Sequence, residues 1–390
     1  MKTWIRNLRI VDGGEIQHAG ILVEDGKIAA ILPEQELTEA EEIIDGEGLY
    51  ASAGFIDSHT HGAGGFDFMD GTTEAYLTAC RTHLQHGTTT ILPTTLSASY
   101  EELVSSLLAF KEAKQILAKE QCLPGIHLEG PYFAMNQKGG QDPEYIRDPD
   151  PQEYLKILDI ADGAIKRWSV APERKGAMEM GDELVKRGIL PSIAHTDATY
   201  ADCVEAVKHG YTHVTHLYSC TSTITRRDGF RIMGVTESAY LLDELTVEII
   251  ADGCHLPPEL IRMIVKCKGA DKISLITDSL RCAGQEVTSS IAGSLKNGKP
   301  CIIEDGVGKL PDHSAFAGSI ATADRLVRTV WKQCGLPLPV VIQMMCENPA
   351  KLLKVDDRKG RLLPGKDADI VLFDENVAVK AVYYQGKQVV

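Results

Sequence analysis

The stretch Gly54-Phe-Ile-Asp-Ser-His-Thr-His-Gly62 runs from apolar residues into two histidines and then a glycine. It reads as a β-strand with a polar end, after which Gly62 lets the backbone turn away. Residues i and i+2 of a strand point to the same side, so the imidazoles of His59 and His61 share one face and can address a single ion. The same texture, an apolar run closed by a polar tail, recurs at Thr88 to Thr95, Gly125 to Glu129, Ile165 to Pro172, Leu190 to Thr196, His213 to Ser219, Val247 to Cys254 and Ile273 to Thr277. Helical periodicity lies between these runs, as at Glu74 to His86, Glu101 to Lys119, Lys175 to Arg187 and Ala201 to His209. Eight strands alternating with helices predict an α/β fold, a closed (β/α)8 barrel of the TIM type whose sheet is covered on both faces. An open doubly wound sheet is the second choice.

Outward from this middle the pattern changes. Residues 1–50 read as short strands separated by the Asp12-Gly-Gly and Asp25-Gly turns. Residues 355–390 repeat that texture, with Asp369-Ile-Val-Leu-Phe373, Ala378 to Tyr384 and a Gln385-Gly turn. The two β-rich ends are expected to pair as one small unit beside a barrel of residues 51–354.

Composition narrows the function. A chain of 390 residues with 44% hydrophobic content buries a full core, and it exceeds the size at which one core stops growing. A formal net charge of −15 argues against nucleic acid and anionic membrane as partners and favours a small molecule. The start, Met1-Lys-Thr-Trp-Ile-Arg-Asn, lacks the apolar core of a secretory signal, and no stretch has the length of a spanning helix, so a cytoplasmic protein is expected. The ten cysteines, scattered from Cys80 to Cys346 without a CxxC pair, read as reduced and mostly buried thiols.

The chemistry is carried by the strand ends. His59 and His61 close the first strand, Glu129 the third, His195 the fifth and His216 the sixth, while Asp278 follows the eighth. In a barrel those ends converge on one face, so residues far apart in sequence become neighbours. The pair His59 and His61 alone reads equally well as two polar groups at a strand end, and His195 or His216 alone reads more readily as a hydrogen-bonded structural histidine. Glu129, in His127-Leu-Glu-Gly-Pro131, closes an apolar strand, where an unpaired charge is costly and a cation would remove the cost. Together, Glu129, His195 and His216 make a nitrogen and oxygen donor set suited to zinc or another divalent transition metal. Asp278 is the candidate to move a proton between water and a leaving nitrogen.

These residues carry a resemblance. The chain resembles the amidohydrolase superfamily and, within it, the N-acetylglucosamine-6-phosphate deacetylase family. The likeness runs through Gly54 to Gly62, His127 to Pro131, Ala194-His-Thr-Asp-Ala198, Thr215-His-Leu-Tyr218, Ala251-Asp-Gly-Cys-His255, Leu275-Ile-Thr-Asp278 and Pro364-Gly-Lys-Asp-Ala-Asp-Ile370, nearly the whole chain. It implies that the two chain ends form a small β-sandwich. It further implies that Glu129, His195 and His216 hold a divalent metal, zinc first and otherwise iron, manganese or cobalt. His59 and His61 would offer a second ion position, and Asp278 would be the general acid and base. The implied substrate is a phosphorylated amino sugar whose N-acetyl group is hydrolysed. Arg227 and His255 would contact the phosphate, the arginine reaching from the second subunit of a homodimer; Arg226 beside it is the other candidate.

The departures bear on the substrate. Lys138-Gly-Gly-Gln141 stands where family members have Lys-Gly-Ala-His, so Gln141 replaces an imidazole expected to polarise the acetyl carbonyl. Ser219-Cys220-Thr221 replaces Asn-Ala-Met in a stretch that frames the sugar, and Thr277-Asp-Ser279 replaces Thr-Asp-Ala. Other readings on the same fold are a deacetylase for N-acetylgalactosamine 6-phosphate or another amide, and a nucleobase deaminase, which would not need Arg227. A dihydroorotase-like or urease-like enzyme would need a lysine at the end of strand four, whereas Lys166 sits at its start. A noncatalytic binding barrel is disfavoured, since clustered unpaired charges cost stability when nothing uses them.

Overall fold

The computed structural model describes residues 2–33 and 39–390, so Met1 and residues 34–38 of the N-terminal stretch lie outside the described residues. Eight parallel strands close the barrel: β1 (Phe55–Thr60), β2 (Thr88–Pro93), β3 (Ile126–Glu129), β4 (Ile165–Val170), β5 (Leu190–Ile193), β6 (His213–Val214), β7 (Thr246–Ile250) and β8 (Ile273–Ile276). β1 pairs with β2, and β3 through β8 pair in sequence order. Two joints complete the ring. Thr95 N donates to His127 O at 3.0 Å between β2 and β3, and Asp278 N donates to His59 O at 2.9 Å between β8 and β1.

Side-chain caps set the helices that separate these strands. The helices Tyr100–Leu117 and Tyr200–Lys208 both open with a capping box, Ser99 with Glu102 and Thr199 with Asp202, which satisfies amides left without an intrahelical partner. Their apolar faces, including Leu103, Leu107, Phe110, Cys203 and Ala206, are buried against the sheet.

The two ends of the chain meet in one eight-stranded sheet, the expected small β unit. Strand Lys2–Asp12 pairs with Glu15–Glu24, and a bulge between Ile5 and Leu8 carries Asn7 in the left-handed region. Across that bulge the neighbour on the other side changes from Glu42–Asp45 to Tyr50–Ala53, giving the sheet two arms. Tyr50–Ala53 then pairs antiparallel with Ile370–Phe373, joining the first strands to the last.

A further sheet, at the barrel mouth, is absent from the sequence reading. After β8 the chain makes a four-stranded antiparallel sheet, Ser289–Ala292, Lys299–Glu304, Val307–Lys309 and Phe316–Gly318, before helix Ala323–Arg328. It is pinned to the barrel mouth, where Ser319 N donates to Asp278 O and Leu280 N to Ser319 O. All ten cysteines are unpaired and six are buried. No helix among the described residues is long and apolar enough to cross a membrane.

Candidate metal centre

His59 and His61 project from the end of β1 to one side, with ring centroids 5.2 Å apart. His61 places Nδ1 3.3 Å from Thr94 O, and His59 places Nδ1 2.7 Å from Glu248 Oε1. Both Nε2 atoms therefore face the carboxylates of Glu129 and Asp278. From His59 Nε2 these lie at 3.4 and 3.3 Å, and from His61 Nε2 at 3.4 and 3.0 Å.

The other donors stand one residue or more past the last ladder bond of their strands. His195, His216 and Asp278 have φ of 43°, 28° and 47°, a left-handed backbone that residues with a Cβ rarely adopt. Such strain persists only where the surroundings impose it, and it concentrates at functional sites. The turn aims His195 Nε2 and His216 Nε2 at Glu129 Oε1, at 3.3 and 2.9 Å, and leaves the two nitrogens 3.2 Å apart.

Glu129 is thus common to two groups, His59 with His61 and His195 with His216. In each group the candidate donor atoms lie within 4.8 Å of one another, and every residue involved is buried. The donor chemistry fits a divalent cation. Two imidazole nitrogens at 3.2 Å repel unless a proton or an ion lies between them, and His59 Nε2 is buried without a hydrogen-bond partner. The electrostatics point the same way. Burial disfavours charge on His59, yet the carboxylates of Asp278, Glu129 and Glu248 raise it to about 9. His61 and His195 also rise well above the ordinary imidazole value against their burial, His61 through Asp278 and Glu129, His195 through Cys220 and Glu129. Burial likewise works against the charge of Glu129, which the surrounding histidines nonetheless hold well below the usual carboxylate range. The pocket favours added positive charge, and nitrogen with carboxylate donors is the set zinc and similar ions take.

The cavity above these groups has a volume of about 280 Å³. His61, Glu129, His195, His216 and Asp278 form one side, with Gln141, Ser219, Cys220 and His255 around them and Phe316, Ala317 and Gly318 of the inserted sheet opposite. His255 has Nδ1 2.8 Å from Asp252 Oδ2, and its ring meets Phe316 edge to face at 4.9 Å. Arg226 and Arg227 do not line this cavity within the chain. They lie on the exposed hairpin Thr225–Arg227/Phe230–Ile232, whose Phe230 is 74% exposed.

Gln141 lines the cavity and is also tied into its wall. Its Oε1 accepts from Ser97 N at 2.7 Å, which fixes the amide orientation, and its Nε2 donates to Glu129 Oε2 at 2.8 Å. One of its two amide hydrogens therefore serves Glu129, not an acyl oxygen. The sequence reading missed further supports. Gln137 O lies 2.8 Å from His195 Nδ1, and a buried pair inside the barrel, Arg167 with Glu248, stands behind His59. The available signal for the pair was an arginine and a glutamate, each inside a strand-like run. Lys166 lies on the exposed side of β4, outside the barrel interior.

Comparison with known proteins adds the following. Residues 50–389 match the Amidohydrolase family. The N-acetylglucosamine-6-phosphate deacetylase of Lysinibacillus sphaericus is 30% identical over 385 residues, 98% of this chain and 96% of that protein. The N-acetylglucosamine-6-phosphate deacetylase of Bacillus subtilis is 31% identical, over 98% of this chain and 96% of its own length. Among solved structures, a mutant of the Mycobacterium smegmatis N-acetyl-D-glucosamine-6-phosphate deacetylase in complex with N-acetyl-D-glucosamine-6-phosphate superposes with a TM-score of 0.90 at 29% identity, covering 100% of this chain and 99% of that one.

Proposed function

The chain belongs to the amidohydrolase family, and on that premise we propose that it hydrolyses N-acetylglucosamine 6-phosphate to glucosamine 6-phosphate and acetate. The observation that carries this reading is the shared position of Glu129 between two histidine pairs, with Asp278 on the same cavity 3.0 Å from His61. Relatives named for this activity span almost the full chain.

Glu129, His195 and His216 would hold a divalent ion, zinc first, and His59 with His61 and Glu129 would offer a second position. Such an ion, when bound, supplies Lewis acidity toward the water and the acyl oxygen. Asp278 takes a proton from the attacking water as its oxygen bonds to the acyl carbon. It then returns that proton to the nitrogen as the carbon–nitrogen bond breaks, so that acetate and the free amine leave. A carboxylate suits this task only if it starts ionised. Burial works against that, but His59 and His61 hold Asp278 well below the usual carboxylate range. Gln141 orients Glu129 and, with Ser219 and Cys220, would border the sugar.

His255 would donate to the phosphate from Nε2, since Asp252 occupies its Nδ1. Arg227, on the exposed hairpin, would reach the cavity of a neighbouring copy in a homodimer and bind the phosphate through two parallel hydrogen bonds. Residues 51–354 would be the catalytic barrel, with 1–50 and 355–390 as its supporting unit. A phosphorylated metabolite and ten unpaired cysteines suit a cytoplasmic setting.

The test is acetate release by purified, metal-analysed protein from N-acetylglucosamine 6-phosphate and N-acetylgalactosamine 6-phosphate, each beside its unphosphorylated form. Fast release from the phosphorylated gluco sugar is expected. No release from any of the four by metal-replete protein would overturn the reading.

A further inference from the structure

The interior of the barrel below the cavity holds an ion pair that the proposed reaction does not use. Arg167 of β4 and Glu248 of β7 are both fully buried and meet through two hydrogen bonds, Nη1 to Oε2 at 2.5 Å and Nη2 to Oε1 at 2.6 Å. The remaining guanidinium donors reach Ser192 Oγ at 3.0 Å, Thr215 Oγ1 at 2.6 Å and Ser58 O at 3.5 Å, so the arginine is held from β5, from the residue after β6 and from β1. A guanidinium cannot be deprotonated in a protein, and its planar fork fixes the plane of the carboxylate it binds.

The oxygen of Glu248 that accepts from Arg167 Nη2 also lies 2.7 Å from His59 Nδ1. A carboxylate kept ionised at that distance requires the hydrogen to be on Nδ1. The lone pair of a neutral His59 is then on Nε2, which makes no hydrogen bond and faces Glu129 and Asp278. His61 has no such anionic partner, since its Nδ1 meets only the backbone carbonyl of Thr94.

We infer that Arg167 and Glu248 are a positioning pair that locks the tautomer and orientation of His59 and thereby governs the affinity of the ion position formed by His59, His61 and Glu129. Removing an outer partner of a metal-binding histidine weakens metal binding by about 10- to 100-fold. In the group of Glu129, His195 and His216 neither histidine touches Glu248, and His195 Nδ1 is held instead by Gln137 O at 2.8 Å, so this position is expected to keep its affinity. The inference rests on the reading of this cavity as a metal centre.

The experiment compares wild type with Glu248→Gln by zinc titration against a competing chelator and by elemental analysis after dialysis. Wild type is expected to take two ions per chain, and Glu248→Gln to keep the first ion at unchanged affinity while the second weakens by about 10- to 100-fold. A general structural role would weaken both ions together, and that result overturns the inference, as does equal affinity of wild type and variant for both ions. A wild type that takes one ion overturns the inference alone, whereas a wild type that takes none overturns the metal-centre reading with it. Because Glu248→Gln leaves a buried arginine unpaired, the double variant Arg167→Met with Glu248→Gln removes both charges and is the form to measure if the single variant does not fold. The same selective loss is expected of it.

Discussion

Asp278 Oδ1 lies 3.0 Å from His61 Nε2, on a backbone turned into the left-handed region immediately after the last barrel strand. The carboxylate therefore faces the cavity and the candidate ion positions together. Asp278→Asn keeps the size and removes the proton acceptor. Turnover should fall by about 10²- to 10⁴-fold with bound metal retained, as measured by acetate release beside elemental analysis. Wild-type turnover in that variant would remove Asp278 from the reaction.

Arg227 is exposed on its hairpin and does not line the cavity of its own chain. In a homodimer, Arg227→Ala should raise KM for the phosphorylated sugar at least tenfold while leaving the unphosphorylated sugar nearly unchanged, a loss of the order expected for a charge-assisted hydrogen bond. Mixing Arg227→Ala with Asp278→Asn subunits should restore part of the activity, because one cavity in the mixed dimer has both groups. Equal KM changes for both sugars would move the phosphate site elsewhere.

Gln141 bridges Ser97 N and Glu129 Oε2. Gln141→Leu would leave the Ser97 amide unpaired in a buried place, costing about 1–3 kcal/mol, and would free the Glu129 carboxylate to rotate. The expected outcome is a lower melting temperature together with faster loss of metal to a chelator. Melting and metal retention both like wild type would show that the bridge contributes nothing.

Buried histidines set an acid limit. Burial pushes His83 and His213 down to about 4 and His127 well below its ordinary value, so the folded chain holds them neutral. At His83 and His213, between pH values of about 6.5 and 4, the unfolded chain binds protons that the folded chain refuses, so their contribution to stability falls as the pH drops through that window and is constant above it. Thermal melting at pH 7.5 and pH 5 should show a larger drop for wild type than for His83→Gln. Equal drops would take His83 out of the account.

Much of the barrel was legible because its strands carry a simple signal. Each of the eight begins within one residue of the position read from the apolar runs. The third ends at Glu129 as read, but others fall short, since Leu190 to Thr196 ends as a strand at Ile193 and His213 to Ser219 at Val214. The reason is conformational, as His195 and His216 are turned out of the ladder to face the cavity, and no propensity encodes that. The inserted sheet was illegible for another reason. Its strands have three to six residues, and their half-exposed faces give little alternation to detect. Arg167 and Glu248 were passed over because a charge within a short apolar strand carries no mark of its partner two strands or more away.

The pairing of Tyr50–Ala53 with Ile370–Phe373 also orders events on the ribosome. The strand nearest the barrel in sequence waits for a neighbour made some 320 residues later, about half a minute at roughly 10 residues per second. Throughout that interval the apolar side chains of Ile10, Val11 and Tyr50 lack their final cover, while the barrel can close strand by strand on local contacts. Aggregation of a nascent or truncated chain should therefore begin at this sheet edge, and release of the last strands is the step that ends the exposure.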